Sequence, residues 1–404
     1  MVMQIHARQN AEKKFDGHLD AVLRWQDIAT ISLVWVLLLA WYVIAFLCSN
    51  HPGLPYQVDS IYYRAAQHFF HEQPLYDCKG DGCFVYFPTT AILVAPISFL
   101  PIKIADVIFR IISASILTTG MYYFCKNIGK TQLKRTFFVM TITAACIAQP
   151  AFFVGQLHMI TTGLLLLGYA KIVEEKWWQS AILISLALAL KPTSIVLYAL
   201  AIGLFPRLTL KILVVTTFIF LLSLIARSPH YVLSQYIAYP QRFLVDMRFD
   251  ANNGGHWATF FGAVAFYTHY AINGGAQFLI RMVMAVVVFI LSWIAKNKMD
   301  KQDALFFIVA IAMTYLMLFN SRSESNDYVM VSPILGYFLA TFIEDKKWFW
   351  ASGFIVAIIL ITMSWTIAKW LTPHNNIWMN PSVISVFAVY LLWEYRKKIR
   401  LVVQ

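Results

Sequence analysis

What most limits this chain is a series of long apolar runs. The first, from Ile28 to Cys48, carries no charged side chain, and comparable runs recur to the C-terminus. An α-helix rises about 1.5 Å per residue and the hydrocarbon core of a bilayer is about 30 Å thick, so about 20 apolar residues cross it. Backbone in hydrocarbon must bond to itself, which makes each such run a helix. Composition points the same way. With 60% of residues hydrophobic and 13% charged, there is too little polar surface to cover a water-soluble globule of 404 residues, and a soluble enzyme is excluded. The expected fold is all-α and polytopic.

The formal net charge is +12, which in a soluble protein would suggest a polyanion partner. The positions of the charges argue otherwise, and no nucleic acid is expected as a partner. Most Lys and Arg fall in seven short segments between apolar runs: Arg8 to Arg24, Lys126 to Arg135, Lys171 and Lys176, Arg207 and Lys211, Lys296 to Lys301, Lys346 and Lys347, and Arg396 to Arg400. The positive-inside rule makes all seven cytoplasmic, including both termini. The first apolar run begins only near residue 28 and is long enough to stay as a span, so a cleavable signal peptide is not expected. Six excursions between seven cytoplasmic segments give about 12 transmembrane helices, near 28–48, 104–125, 136–154, 157–173, 178–191, 192–205, 209–226, 276–295, 303–319, 328–343, 348–371 and 381–395. A cytoplasmic segment 1–27, a transmembrane domain 28–395 and a basic cytoplasmic tail 396–404 follow. The fifth and sixth runs are short and read as one broken hairpin meeting at Lys191 and Pro192, where proline removes a backbone donor.

Two outer segments, 49–103 and 227–275, are too long to be turns, and loops on a rigid scaffold are where chemistry concentrates. In the first, Val58, Ile61, Tyr62, Ala65 and Phe69 recur at helical spacing, with Ser60, Arg64, Gln67, His68 and His71 opposite, which predicts a helix lying in the membrane interface. Thr89 to Leu100 is apolar but too short to span, and reads as re-entrant or juxtamembrane. Cys78 and Cys83 bracket the polar loop KGDG. A disulfide between them suits an oxidising compartment. A metal site combining them with His68 or His71 is the rival, and it matches no recognised zinc spacing.

Cations outside the cytoplasmic segments run against the insertion bias. They include Arg64, Arg110, Lys191, Arg242, Arg248, Arg281 and Arg322. Converging on one place, they would form a site for an anionic group such as a phosphate; singly, each reads as well as a loop or headgroup contact. Lys191 stands apart because it follows a long apolar run, and a charge there requires a partner or a polar cavity. Among the outer acids, Asp59 heads the interfacial helix with Tyr62 and Tyr63 three and four residues on. It reads equally as a helix N-cap and as a general base held at the membrane surface. Gln156 and His158 interrupt an apolar stretch near the outer face and suit either a ligand or a helix end. Arg322 and Glu324 lie in a polar turn that could line the mouth of a site, and Asn252, Asn253 and His256 share the second long segment. No Walker loop, HExxH or GxSxG occurs, and nothing in the sequence supports a cofactor or metal.

The order of these motifs resembles a known family. Asp59 with Tyr62 or Tyr63, Ala66, Pro74-Leu75-Tyr76, Phe84-Val85-Tyr86-Phe87-Pro88, Leu93 to Pro96 and Leu100-Pro101 together resemble the first outer loop of the family-87 glycosyltransferases, which are GT-C membrane enzymes. Val154-Gly155-Gln156, Lys191-Pro192 and the polar segment Ser321 to Pro333 continue the likeness, which runs from about residue 56 to 333. The resemblance implies a GT-C fold and an inverting transferase in a bacterial inner membrane, with a periplasmic active site. It implies a polyprenyl-phosphate-sugar donor, a lipid-linked or envelope-glycan acceptor, and Asp59 as the essential first-loop aspartate. Lys191 matches the family's lysine by position, whereas Arg322, Arg242 and Arg248 are candidate phosphate ligands by sidedness only. This chain has Phe87-Pro88 where many relatives carry two prolines, and Arg322-Ser323-Glu324-Ser325 where they carry a histidine motif. The likeness to mannosyltransferases therefore does not carry mannose over as the sugar. Two other readings stand beside it, a lipid or sugar transporter and a non-catalytic assembly partner in envelope synthesis. No repeat relating the halves supports a carrier.

Overall fold

The computed structural model describes residues 25–48, 58–77, 83–128, 132–252, 257–372 and 377–403, with side chains for all of these except 46–48, 59, 128, 243–252 and 401–403. Every regular element among them is helical. After α1 (Trp25–Cys48) come a π-helical turn (Val58–Tyr63), α2 (Arg64–Phe70) and two short pieces, α3 (Pro88–Leu93) and α4 (Ala95–Ser98). The chain continues through α5 (Ile102–Ile128), α6 (Leu133–Ile147), α7 (Gln149–Val154), α8 (His158–Val173), α9 (Trp177–Leu190) and α10 (Ile195–Leu204). Then follow α11 (Pro206–Ala226), α12 (Pro229–Asn252), α13 (Phe260–Thr268), α14 (Gly274–Lys298) and α15 (Lys301–Phe319). The last elements are α16 (Ser332–Glu344), α17 (Trp348–Thr362), α18 (Ser364–Leu371) and α19 (Met379–Val403).

Among the described residues, 5 helices are long and apolar enough to cross a membrane: α1, α5, α11, α14 and α15. A sixth is formed if α17 and α18, bent by 79°, count as one span. The shorter apolar helices α8, α9, α10 and α16 fall below that length. Several expected spans are broken for identifiable reasons. The 136–154 run divides after Ile147 because Pro150 lies in the first turn of α7. The predicted hairpin break is present, with Lys191 extended at φ −146°, ψ 120° and Pro192 opening a 3₁₀ turn, as a residue before proline avoids the helical region. The two short helical stretches expected in segment 49–103 both form, as the π turn with α2 and as α3 with α4. The segment 227–275, read as a long loop, is mostly helical in α12 and α13, and Pro240 lies inside α12.

Hydrocarbon gives helices no hydrophobic reason to associate, so close packing of small residues must hold them together. A Cβ on Gly120 of α5 would overlap the carbonyl of Gly163 on α8, so the two backbones touch there. Gly336 of α16 meets α6 in the same way, with the Met140 Cα only 2.7 Å from where a Cβ would stand. Helix α15 is the buried centre, packed against α14, α19, α8 and α5. Helices α1, α11 and α14 present large apolar side chains outward, Leu37, Phe218 and Leu279 among them. At the end of α8, Glu174 accepts hydrogen bonds from Lys171 and Asn127 and pairs with Lys176. Burial works to raise its carboxyl, but those donors bring it down to about 2.

Candidate active site

The site is assembled where α7 and α8 meet, opposite the π turn that carries Asp59. π-helical turns recur at functional sites because they redirect side chains within a helix. Here Val58, Ile61 and Tyr62 point into the protein and Ser60 points out. The Tyr62 hydroxyl accepts from the Leu157 amide at 3.3 Å and shares a 3.1 Å hydrogen bond with the Tyr86 hydroxyl. Its ring stacks on Phe109 of α5. Gly155 ends α7 in the left-handed region at φ 73°, and a Cβ there would come within 2.5 Å of Val58 Cγ2. The turn is thus wedged against residues 155–157. The backbone of Asp59 lies in it, and the Asp59 side chain falls outside the described residues.

Directly beyond that segment, three charged or titratable side chains from three elements meet out of water. Helix α9 ends at Leu190, and Thr90 of α3 donates to the Ala189 carbonyl at 2.7 Å, holding the helix end in place. The Lys191 ammonium then reaches His158, the first residue of α8, with Nζ 3.0 Å from Nδ1. It lies 3.9 Å from Asp327 Oδ1 and 5.8 Å from the centre of the Tyr86 ring. His158 Nε2 bonds Asp327 Oδ1. An ammonium only donates, so Nδ1 accepts and the ring proton sits on Nε2, where it is given to Asp327. The other carboxylate oxygen, Oδ2, accepts from the Glu324 amide at 2.9 Å. Burial acts to raise the Asp327 carboxyl, and the adjacent His158 and Lys191 outweigh it, leaving the group below the usual carboxylate range. The cluster is therefore a neutral imidazole between a buried cation and a buried anion.

A second ion pair lies at its edge. Arg322 donates from Nε to Glu324 Oε1 at 3.1 Å and lies over the Trp257 ring at 4.2 Å. Glu324 also accepts from Asn326 at 2.9 Å. The Ala258 amide donates to Ser323 and the Tyr328 hydroxyl donates to Ala258, so the end of the 227–275 segment is docked on this turn. Gln156 and Asn326 are both buried, and among the described residues their side-chain carbonyl oxygens meet no donor. Buried acceptors without partners are uncommon. Residues 84–333, well over half of the chain, match the description of glycosyltransferase family 87 (GT87).

The chain belongs to glycosyltransferase family 87. No curated protein matches it. The GT87 match takes in Tyr86, Gln156, His158, Lys191 and Arg322 to Asp327, and it starts downstream of Asp59. Of the residues singled out in the sequence, Lys191, Gln156, Tyr62, Arg322 and Glu324 come together around this cluster. Tyr63 turns aside and donates to the Leu100 carbonyl at 3.4 Å. Arg242 is half-buried on α12, whose main contacts are with α3 and α11. The side chain of Arg248, and His256 altogether, fall outside the described residues. Cys83 is disulfide-bonded, and Cys78 falls outside the described residues.

In the sequence His158 suits either a ligand or a helix end and Asp327 lies within the polar segment Ser321 to Pro333, with nothing to join them. Nothing local could have done so, since they lie far apart in sequence and Asp327 sits in a turn whose polarity suits plain solvation. Arg110, counted among the unexplained cations, has a structural task in the GT87 scaffold. It pairs with Asp106, donates to the Phe153 carbonyl at 2.8 Å and lies over the Tyr42 ring, while Tyr42 donates to Asp106 at 2.7 Å. It thereby ties α1 and α5 to the end of α7, just behind Gly155. Gly155→Ala forces a side chain into the left-handed region and against Val58. The substitution is expected to cost about 1 to 3 kcal/mol, read as a lowered thermal unfolding midpoint of the purified protein.

Proposed function

We propose that this glycosyltransferase takes a sugar from a polyprenyl-phosphate donor and passes it, with inversion, to a hydroxyl of a lipid-linked or envelope-glycan acceptor. Asp59 is the general base. It accepts the acceptor's proton as the oxygen attacks the anomeric carbon, and the bond from that carbon to the donor phosphate breaks. The lipid phosphate leaves as an anion and needs no acid. Charge developing on it is stabilised by preorganised cations, a role that falls to Lys191 with Arg322 at the rim. Gln156 and Asn326 accept hydroxyls of the transferred sugar. The observation that carries the reading is the buried Lys191 ammonium, held between His158 and Asp327 and facing Tyr86, whose partner Tyr62 belongs to the turn of Asp59.

The family resemblance implies a bacterial inner membrane and a periplasmic site, and the positive-inside rule puts both termini in the cytoplasm. The test is transfer of radiolabelled sugar from a panel of polyprenyl-phosphate hexoses and pentoses to extracted envelope lipids by the purified protein. Consumption of one donor, with release of the lipid phosphate and the opposite anomeric configuration in the product, is the expected result. Turnover of nucleotide sugars instead, or a product of retained configuration, would sink it.

A further inference from the structure

A cavity lies at the end of the bundle away from the Lys191 cluster. Helix α9 and α10 both run away from Lys191, and so does α15 from the Arg322–Asp327 turn. Over the 14 residues of α9, at about 1.5 Å per residue, that is roughly 20 Å. Where these helices end, they enclose a cavity of about 630 Å³ lined by Glu175, Trp177, Phe205, Arg207, Lys296 and Lys301, with further apolar wall from α15.

Its electrostatics are unbalanced. Three cations from three helices face one carboxylate, which leaves two positive charges uncompensated in the lining. Lys301 bridges Glu175 at 2.9 Å. Lys296 donates to the Leu204 carbonyl at the end of α10 and lies over the Phe205 ring. The Arg207 guanidinium makes no hydrogen bond among the described residues. Two further acids stand at the start of α15 outside the cavity lining: Asp300 caps the helix by accepting from the Asp303 amide, and Asp303 pairs with Lys398. Arg207 also stands in the first turn of α11, where the helix dipole disfavours a cation, so its placement calls for an anion.

We infer that this cavity binds the phosphate of an anionic membrane phospholipid. The cations take the phosphate, and the acyl chains leave along Trp177, Phe205, Leu305 and Ile308. A soluble phosphate compound would gain nothing from those apolar walls, whereas basic pockets between membrane helices suit lipid headgroups.

The test adds phosphatidylglycerol or phosphatidylcholine to the purified full chain in detergent and counts bound lipid by native mass spectrometry. The parent should retain phosphatidylglycerol at least about tenfold better, and each of Arg207→Gln and Lys301→Gln should reduce that preference about fivefold. Lys347→Gln, a cation outside the cavity lining, should leave it unchanged. Arg207→Gln disturbs no hydrogen bond of that guanidinium, so it keeps the test sharp even if Lys301→Gln fails to fold. Equal retention of the two lipids by the parent overturns the proposal. So does a preference that falls as far in Lys347→Gln as in Arg207→Gln, or displacement of the lipid by millimolar inorganic phosphate.

Discussion

Asp59→Asn should lower sugar transfer by about 10²- to 10⁴-fold at saturating donor, the range a positioned general base contributes. The substitution is informative because it separates the two roles open to this residue. Asn caps a helix about as well as Asp, so a purely structural Asp59 would tolerate the change in both melting behaviour and turnover. An amide oxygen, however, cannot take up a proton at neutral pH. The expected pattern is an unchanged unfolding midpoint, unchanged donor binding and a collapsed turnover number. The surroundings favour a clean result: the turn is fixed through Val58 against Gly155 and through Tyr62 against Leu157 and Tyr86, none of which involves the carboxylate. Turnover within about twofold of the parent would move the base to another residue.

The elements that were legible in the sequence were those with a physical signature confined to one stretch of chain. Apolar runs located α1, α5, α11, α14 and α15, because length in hydrocarbon is a local property. The break at Lys191 followed from Pro192, and the inward face of the π turn and α2 followed from the spacing of Ile61, Tyr62, Ala65 and Phe69. Helix α12 was missed because its apolar residues are interleaved with polar ones and Pro240 sits inside it, a pattern that reads as loop. The division between α6 and α7 is not legible because Gln149-Pro150 interrupts the apolar run only briefly, and a proline near a helix start resembles one tolerated inside a span.

The candidate site divides in the same way. Lys191 announced itself by an impossible setting, a cation at the end of an apolar run that had to face something. What it faces was not legible, because His158 and Asp327 arrive from α8 and from the turn before α16, and only the packing of α7, α8 and that turn brings them into range. Arg322 and Glu324 were readable as a pair through their closeness in sequence. Arg110 shows the converse: a cation in the wrong place by sequence is satisfied by Asp106, one helical turn away, and supports the scaffold instead of the site.

The second large effect concerns the pair formed by Lys191 and Asp327. Lys191→Met removes the cation but keeps the length of the side chain, leaving Asp327 ionised in a buried place with only the neutral His158 and the Glu324 amide. Asp327→Asn leaves Lys191 in the mirror situation. Removing one partner of a buried ion pair typically costs about 3 to 5 kcal/mol, while removing both is often close to neutral. Each single variant should therefore unfold at markedly lower temperature, and the double variant Lys191→Met/Asp327→Asn should recover most of the loss. Transfer should behave differently. If the Lys191 ammonium meets the departing phosphate, Lys191→Met and the double variant both lose about 10²- to 10³-fold in turnover, as expected when one preorganised charge is taken from a transition state. Restoring the fold then does not restore the chemistry. A double variant that regained both melting temperature and turnover would make the pair a structural tie, and Arg322 would be left as the cation opposite Asp59.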